Sequence, residues 1–362
     1  MAHMQNRTDA NAQIAKAAGT VMAAFVISNL VGLFAKTLTA RVFGTGIESN
    51  AFFAANRFSE ILFNLVAGGA LGSAFIPVFA GLLANEERKK AWELASAVAN
   101  LVTLVLLILS ALTIVFSRQV VHYILAPGFT NEAKTLTAQL LRIQVLSSFI
   151  FGLSGLLMGV LNSHQHFLLP ALAPAMYQIG WIIGIFLLTP SLGIFGLAWG
   201  VVIGSLLHLL VQVPLLLRLP GRAYWPSLGL SMPEVREVGR LMAPRLLGVA
   251  VVQLNFLINT LLASFQPEGS ITAISLAFPL MLMPEAAIAQ SIAIASLPTF
   301  AAQVAKNQIN EMRASFSAAL RMTLLLAVPA AIGLILLREP LVALLYQGHQ
   351  FTEHSTQMVA WA

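Results

Sequence analysis

Apolar residues run along this chain in long stretches, at about 19 to 41, 51 to 83, 93 to 117, 136 to 161, 168 to 189, 193 to 217, 240 to 265, 271 to 300 and 316 to 337. Most of them match or exceed the roughly 20 residues that a helix needs to cross the hydrocarbon core of a bilayer. They are continuous rather than alternating every second residue, which predicts helices and not the strands of a closed barrel. The expected fold is all-α, a polytopic transmembrane helical bundle with nine spans. The last residues, "FTEHSTQMVAWA", read as the first turns of a tenth helix, so the sequence is expected to stop partway through a longer protein.

Composition agrees with the pattern. Of 362 residues 58% are hydrophobic and only 9% charged, against about 25% charged in soluble domains. The N-terminal stretch "MAHMQNRTDANAQIAKAAGT" is polar and lacks the apolar core of a cleaved leader, so residues 1–18 are expected to be a cytosolic segment and the first span a retained helix. With a cytosolic N-terminus, twelve basic residues fall on the cytosolic side: Arg7, Lys16, Arg88, Lys89, Lys90, Arg218, Arg222, Arg236, Arg240, Lys306, Arg313 and Arg321. Only four, Arg41, Arg118, Lys134 and Arg338, fall opposite. That bias follows the positive-inside rule and explains the net charge of +6 without nucleic-acid binding. The absence of cysteine excludes disulfides, thiolate metal sites and cysteine nucleophiles.

A repeat appears at an offset near 221 residues. "SAFIPVFAGLLANEERKKAW" precedes a span ending "FSRQVVHYILAPGFT", and "IASLPTFAAQVAKNQINEM" precedes one ending "LLREPLVALLYQGHQFT". Pro77 and Phe79 correspond to Pro298 and Phe300, and Arg118 and Gly128 to Arg338 and Gly348. The competing reading is chance similarity between two apolar hairpins, because shared prolines and glycines supply much of the match. Six spans separate the copies, an even number, so the two units should be parallel repeats, a plan that places a transport site between lobes. The expected boundaries are an N-lobe over 19–219 and an incomplete C-lobe over 220–362, packed around a central cavity.

Polar residues inside the spans are the candidate chemistry, since an ion at the bilayer centre costs about 2.5–3.5 kcal/mol on insertion scales. They are Asn29, Lys36, Arg57, Glu60, Arg142, Arg245, Asn255, Asn259 and Glu285. Asn29 and Lys36 lie two helical turns apart on the first span, and Arg57 and Glu60 share a face of the second. Arg245, Gly248, Asn255 and Asn259 form one stripe on the seventh. In the simpler reading Arg57 and Glu60 neutralise each other and Arg245 reaches toward the headgroups. In the functional reading the stripes converge on a cavity with excess positive charge, suited to a phosphate or diphosphate. Glu60 and Glu285 are candidates for coupling by protonation. Gly68 and Gly72 are expected to form a close helix contact, and Pro279 and Pro284 to bend the eighth span near Glu285. His164 and His166 read as loop residues; no metal site or cofactor is expected, and no catalytic constellation stands out in the polar segments.

The ordered segments "ARVFGTG", "NAFFAANRF", "GGALGSAFIPVF", "LAPGFT", "GVLNSHQHFLLPALAPAMYQIG" and "LMAPRLLGVAVVQLNFLINTLLAS" resemble the MurJ/MviN lipid II flippases of the multidrug/oligosaccharidyl-lipid/polysaccharide exporter superfamily. The resemblance implies two six-helix lobes around a central cavity, two further helices, and export of an undecaprenyl-diphosphate-linked peptidoglycan precursor across the bacterial inner membrane by alternating access. It implies a lipid-linked glycan and membrane lipids as partners, with cell-wall synthesis proteins as candidate protein partners, and no enzymatic reaction. The sequence departs from the family where many members carry charge, having Asn29, Asn50 and Phe63 instead, and Phe278 and Pro279 where an acid–arginine pair stands. Lys36, Arg57 and Arg245 are the candidates to replace that charge. The family has fourteen helices, so a fragment or a degenerate relative are the two readings of the length. The alternatives are an exporter of another lipid-linked oligosaccharide or of drugs, a non-transporting membrane scaffold, and an embedded lipid-modifying enzyme.

Overall fold

The computed structural model describes the backbone of residues 2–66 and 69–362 and the side chains of residues 21–65 and 72–362. Every regular element in that range is helical. The order is α1 (Ala2–Phe43), α2 (Ile47–Val66), α3 (Gly69–Ala84), α4 (Arg88–Val115), α5 (Ser117–Val120), α6 (Asn131–Ser163), α7 (Leu168–Ile183), α8 (Thr189–Leu192), α9 (Ile194–Leu210), α10 (Val213–Leu216), α11 (Pro233–Ala263), α12 (Ser270–Pro284), α13 (Ser291–Ala305), α14 (Ile309–Tyr346) and α15 (Glu353–Trp361). π-helical turns occupy Val121–Leu125, Gly184–Leu188 and Glu285–Gln290.

Eight helices among the described residues are long and apolar enough to cross a bilayer, one fewer than the nine expected. The second expected span, 51–83, is not among those counted: it includes residues 67 and 68, which lie outside the described residues, with α2 on one side of them and α3 on the other. α2 carries Glu48, Asn50, Asn56, Arg57, Glu60 and Asn64, too much polarity for a lipid-facing helix, and α3 has only 16 residues. The corresponding span in the second copy of the repeat carries a π turn: α12 ends at Pro284, the turn follows, and α13 begins at Ser291. The turns that follow the two corresponding spans match. Glu86 (φ 62°) and Asn307 (φ 61°), at equivalent repeat positions, both adopt the left-handed conformation.

The chain forms two compact units, one of residues 1–39 and 47–267, the other of residues 40–46 and 268–362. The repeat predicts a boundary at 219/220, whereas packing assigns α11 to the first unit. The physical reason is the segment between α10 and α11, which is tied along α4. Asn100 Nδ2 donates to the carbonyls of Trp225 (3.1 Å) and Ser227 (2.8 Å), and the Trp225 amide donates to Ser96 Oγ (3.2 Å). Leu219, Val235 and Val238 then enter the core formed by Phe75, Phe79, Trp92, Leu94, Leu106 and Leu161.

Within the first unit, α7 and the turn after it meet α9 backbone to backbone. A Cβ on Gly180 would lie 2.1 Å from the Gly204 Cα, and one on Gly184 2.6 Å from the Gly200 Cα. Glycines at positions 196, 200 and 204 repeat every four residues on α9, the small-residue spacing that lets membrane helices approach closely. Of the expected Gly68 and Gly72 contact, Gly68 lies outside the described residues, and a Cβ on Gly72 would meet nothing within 4 Å. In the second unit, Tyr346 is fully buried, its hydroxyl donating to the Leu276 carbonyl (3.2 Å), and Arg41 Nη2 donates to the Leu345 carbonyl (3.4 Å). α15 is capped by Thr352, whose hydroxyl accepts from Ser355 N (3.3 Å), and a helix here is what the tail pattern predicts.

The glycine seam has a measurable consequence. Gly180→Ala is expected to cost about 1–3 kcal/mol through overpacking and to lower the thermal unfolding midpoint of the purified protein. Gly81→Ala, whose Cβ meets nothing within 4 Å, leaves the midpoint unchanged or raises it.

Candidate functional site

Helix α2 brings three of the expected polar residues together. Arg57 and Glu60 stand one turn apart, so the guanidinium Nη1 donates to Glu60 Oε2 at 2.9 Å, and Asn56 Nδ2 donates to the other carboxylate oxygen at 2.8 Å. The guanidinium also sits over the ring of Phe256 on α11, 4.8 Å from its centroid. Lys36 on α1 interacts electrostatically with both Glu60 and Arg57. With Lys36 protonated, two cations and one carboxylate leave the group net positive. The Arg57 and Glu60 side chains are 24% and 42% exposed, so the pair is accessible and not sealed inside protein. Neutralisation of Arg57 by Glu60 therefore accounts for only part of the charge.

The other expected residues lie apart from this group. Asn50 is buried on α2, and Asn29 is exposed on α1. Asn255 and Asn259 are exposed and bond to each other, Asn259 Nδ2 donating to Asn255 Oδ1 at 2.9 Å. Glu285 is exposed in the π turn that follows Pro284, in the second unit, where the sequence predicts an interrupted helix. Arg142 is committed elsewhere, its Nε donating to Ser117 Oγ at 2.7 Å.

Arg245 lines an open cavity of about 570 Å³ between α11 and the α2–α3 pair, with Asn64, Ser73, Gly248 and Gln253. It stands 11 residues before Phe256 on α11, roughly 16 Å along the helix. Arg57, over Phe256, and Arg245 thus meet α11 about three helical turns apart.

A second cavity, of about 510 Å³, lies inside the first unit between α2, α3, α6, α7 and α9. Asn64 lines both cavities. Phe63, Phe151 and Tyr177 form an aromatic wall, with Phe151 packed 5.0 Å from Phe63 and 4.9 Å from Tyr177, centroid to centroid. Polar groups reach it from Asn56, Glu60, Asn64, Asn162, Tyr177 and His208. Behind His208 is a buried chain. Gln212 Nε2 donates to the His208 carbonyl (2.9 Å), which can only accept and so fixes the amide's orientation. The same nitrogen donates to Ser154 Oγ (2.8 Å), and that hydroxyl lies 2.6 Å from His208 Nδ1. With Ser154 donating to Nδ1, the neutral imidazole carries its proton on Nε2, a donor on a ring that lines the cavity.

Sequence reading did not single out Asn64, Ser154, Asn162, Tyr177, His208 or Gln212. One signal was available, a histidine and a glutamine four residues apart in an apolar span, where polar side chains must find partners. The tyrosine and the other amides carry no comparable mark.

A bundle of apolar, membrane-length helices with polar cavities has the architecture of a membrane transporter. The solved structure of a multidrug resistance MATE family transporter of the MOP superfamily superposes with a TM-score of 0.71 at 14% identity, covering 94% of this chain and 79% of that one, which establishes the shared fold. A solved lipid II flippase MurJ, in an inward closed conformation, superposes with a TM-score of 0.79 at 27% identity, covering 94% of this chain and 70% of that one. Residues 39–362 match the family described as lipid II flippase MurJ. The lipid II flippase MurJ of Burkholderia cenocepacia is 31% identical over 350 residues, 95% of this chain and 68% of that protein. The probable lipid II flippase MurJ of Bdellovibrio bacteriovorus is 32% identical over 355 residues, 96% of this chain and 67% of its own length. The chain belongs to the lipid II flippase MurJ family, as its motifs suggest, and spans about two thirds of the length of these curated relatives.

The hydrogen-bonded chain behind His208 is testable by itself. Ser154→Ala strands the Gln212 amide proton and His208 Nδ1 in a buried site and is expected to cost roughly 1–3 kcal/mol, read as a lower thermal unfolding midpoint. Unchanged stability would show that the chain contributes nothing.

Proposed function

We propose that this protein moves a polyprenyl-diphosphate-linked peptidoglycan precursor, lipid II, across the bacterial inner membrane by alternating access. Family membership supports the reaction class. The observation that carries the reading on this chain is the net-positive group of Lys36, Arg57 and Glu60, in a bundle where an unneeded charge is costly. Arginine is suited to paired hydrogen bonds with phosphate oxygens and lysine to a point-charge contact. Because Arg245 and Arg57 meet α11 at separate points, they serve as successive stations: Arg245 receives the anionic headgroup at its open cavity and Arg57 holds it next. Asn29, Asn50, Asn255 and Asn259 supply uncharged hydrogen-bonding groups along the path. The π turn Glu285–Gln290 between α12 and α13 is the element on which the repeat lobes, 19–219 and 220–362, flex. Glu60 shares its carboxylate between Arg57 and Asn56 and is the coupling group on this path, with Glu285 as its counterpart in the second lobe. Under the positive-inside rule the N-terminus is cytosolic.

Expression of the gene in a bacterium depleted of its own lipid II flippase is expected to restore growth and precursor export. Arg57→Gln combined with Arg245→Gln abolishes export while leaving the protein in the membrane; full export by the double variant would reject both stations. Orientation has a separate check, because the chain has no native thiol. Asn85→Cys, in the turn after α3, should react with a membrane-impermeant maleimide in inside-out vesicles and not in intact cells.

A further inference from the structure

None of the three cations assigned to the headgroup path lines the 510 Å³ cavity inside the first unit. Its volume falls in the ~300–1,000 Å³ range of small-ligand sites, so it has room for a ligand group of its own. The charge around it narrows what that group is. Glu60, the one acid in its lining, already accepts from Arg57 and Asn56 and interacts with Lys36. A cationic amphiphile finds no spare negative charge there, and an anion finds no cation.

The lining also argues against a lipid tail. An acyl chain would satisfy Phe63 and Phe151 but would leave the Asn64 and Asn162 carboxamides, the Tyr177 hydroxyl and the His208 Nε2–H facing hydrocarbon. The carboxamides of Asn64 and Asn162 have no hydrogen-bond partner among the described residues. What fits is uncharged, bears both donors and acceptors, and has apolar faces for aromatic rings. We infer that this cavity is a subsite for an N-acetylated sugar of the lipid-linked headgroup. The acetamide and hydroxyls pair with Asn64, Asn162, Tyr177 and His208, and the methyl and ring C–H faces lie on Phe63 and Phe151. Since Asn64 belongs to both cavities, the sugar lodges here while the diphosphate stays on the basic path. The inference rests on the lipid-linked glycan reading above and adds what selects the glycan.

Two glycines supply the test. A Cβ on Gly72, which lines this cavity, or on Gly248, which lines the Arg245 cavity, meets nothing within 4 Å. Gly72→Cys and Gly248→Cys each introduce a single thiol into a chain that has none. Maleimide alkylation of each purified variant is followed by mass spectrometry with three probes: a polyprenyl diphosphate bearing N-acetylglucosamine, one bearing glucose, and the bare polyprenyl diphosphate. The N-acetylated probe is expected to slow alkylation at position 72 about tenfold, equivalent to a 1.4 kcal/mol difference, and all three probes to slow it at position 248. Adding Asn162→Ala to Gly72→Cys removes the first effect and, added to Gly248→Cys, leaves the second. Equal protection of position 72 by the bare diphosphate would make the occupant a tail or an anion, and equal protection by the glucosyl probe would remove the amide from recognition. Protection at position 248 alone overturns the sugar subsite and leaves the headgroup path standing. Protection at neither position defeats both.

Discussion

The constraint on which this structure depends is that its helices are surrounded by hydrocarbon, where a polar group without a partner inside the protein has none at all. Two local arrangements in the first unit answer it. Arg57, Glu60, Asn56 and Lys36 share charge and hydrogen bonds, and Gln212, Ser154 and His208 form a buried chain across two helices. Neither group is fully self-contained. The first keeps excess positive charge and the second ends in a ring nitrogen at a cavity, and these remainders are what a ligand can use.

Cavities also need walls that do not collapse. On one side the wall is fixed by the glycine seam between α7 and α9, where backbones touch and no side chain is available to rearrange. On the other side stand α2 and α3. A close-packed backbone contact such as the seam resists deformation, because no side chain can give way.

The polarity of α2 shows how site and fold trade against each other. Its charged and amide residues disqualify it as a lipid-facing span, yet its buried alanines and phenylalanines, such as Ala51, Phe52, Ala54 and Ala55, pack it firmly inside the unit. The helix is tolerated because neighbours enclose it. Ser148 on α6, for example, donates to its Ser59 carbonyl at 2.9 Å.

Much of this was legible in the sequence. Long apolar runs dictate helices because no other open structure closes its backbone hydrogen bonds in lipid, and ordered motifs carried the family. Arg57 and Glu60 were legible as a pair because one helical turn separates them and local geometry does the rest. The glycines at 196, 200 and 204 were equally visible, but their partner helix was not, and Gly72, which looked like a packing residue, faces open space instead. Only the tertiary structure assigned α11 to the first unit, through hydrogen bonds between residues more than a hundred positions apart, such as Asn100 and Trp225. It alone assembled Asn64, Asn162, Tyr177 and His208 around one cavity, because four helices each contribute one residue and nothing in the period of any single helix records where the others stand. Sequence by itself fixes what each segment must do with its own backbone; which polar side chains from different segments meet is decided when helices pack.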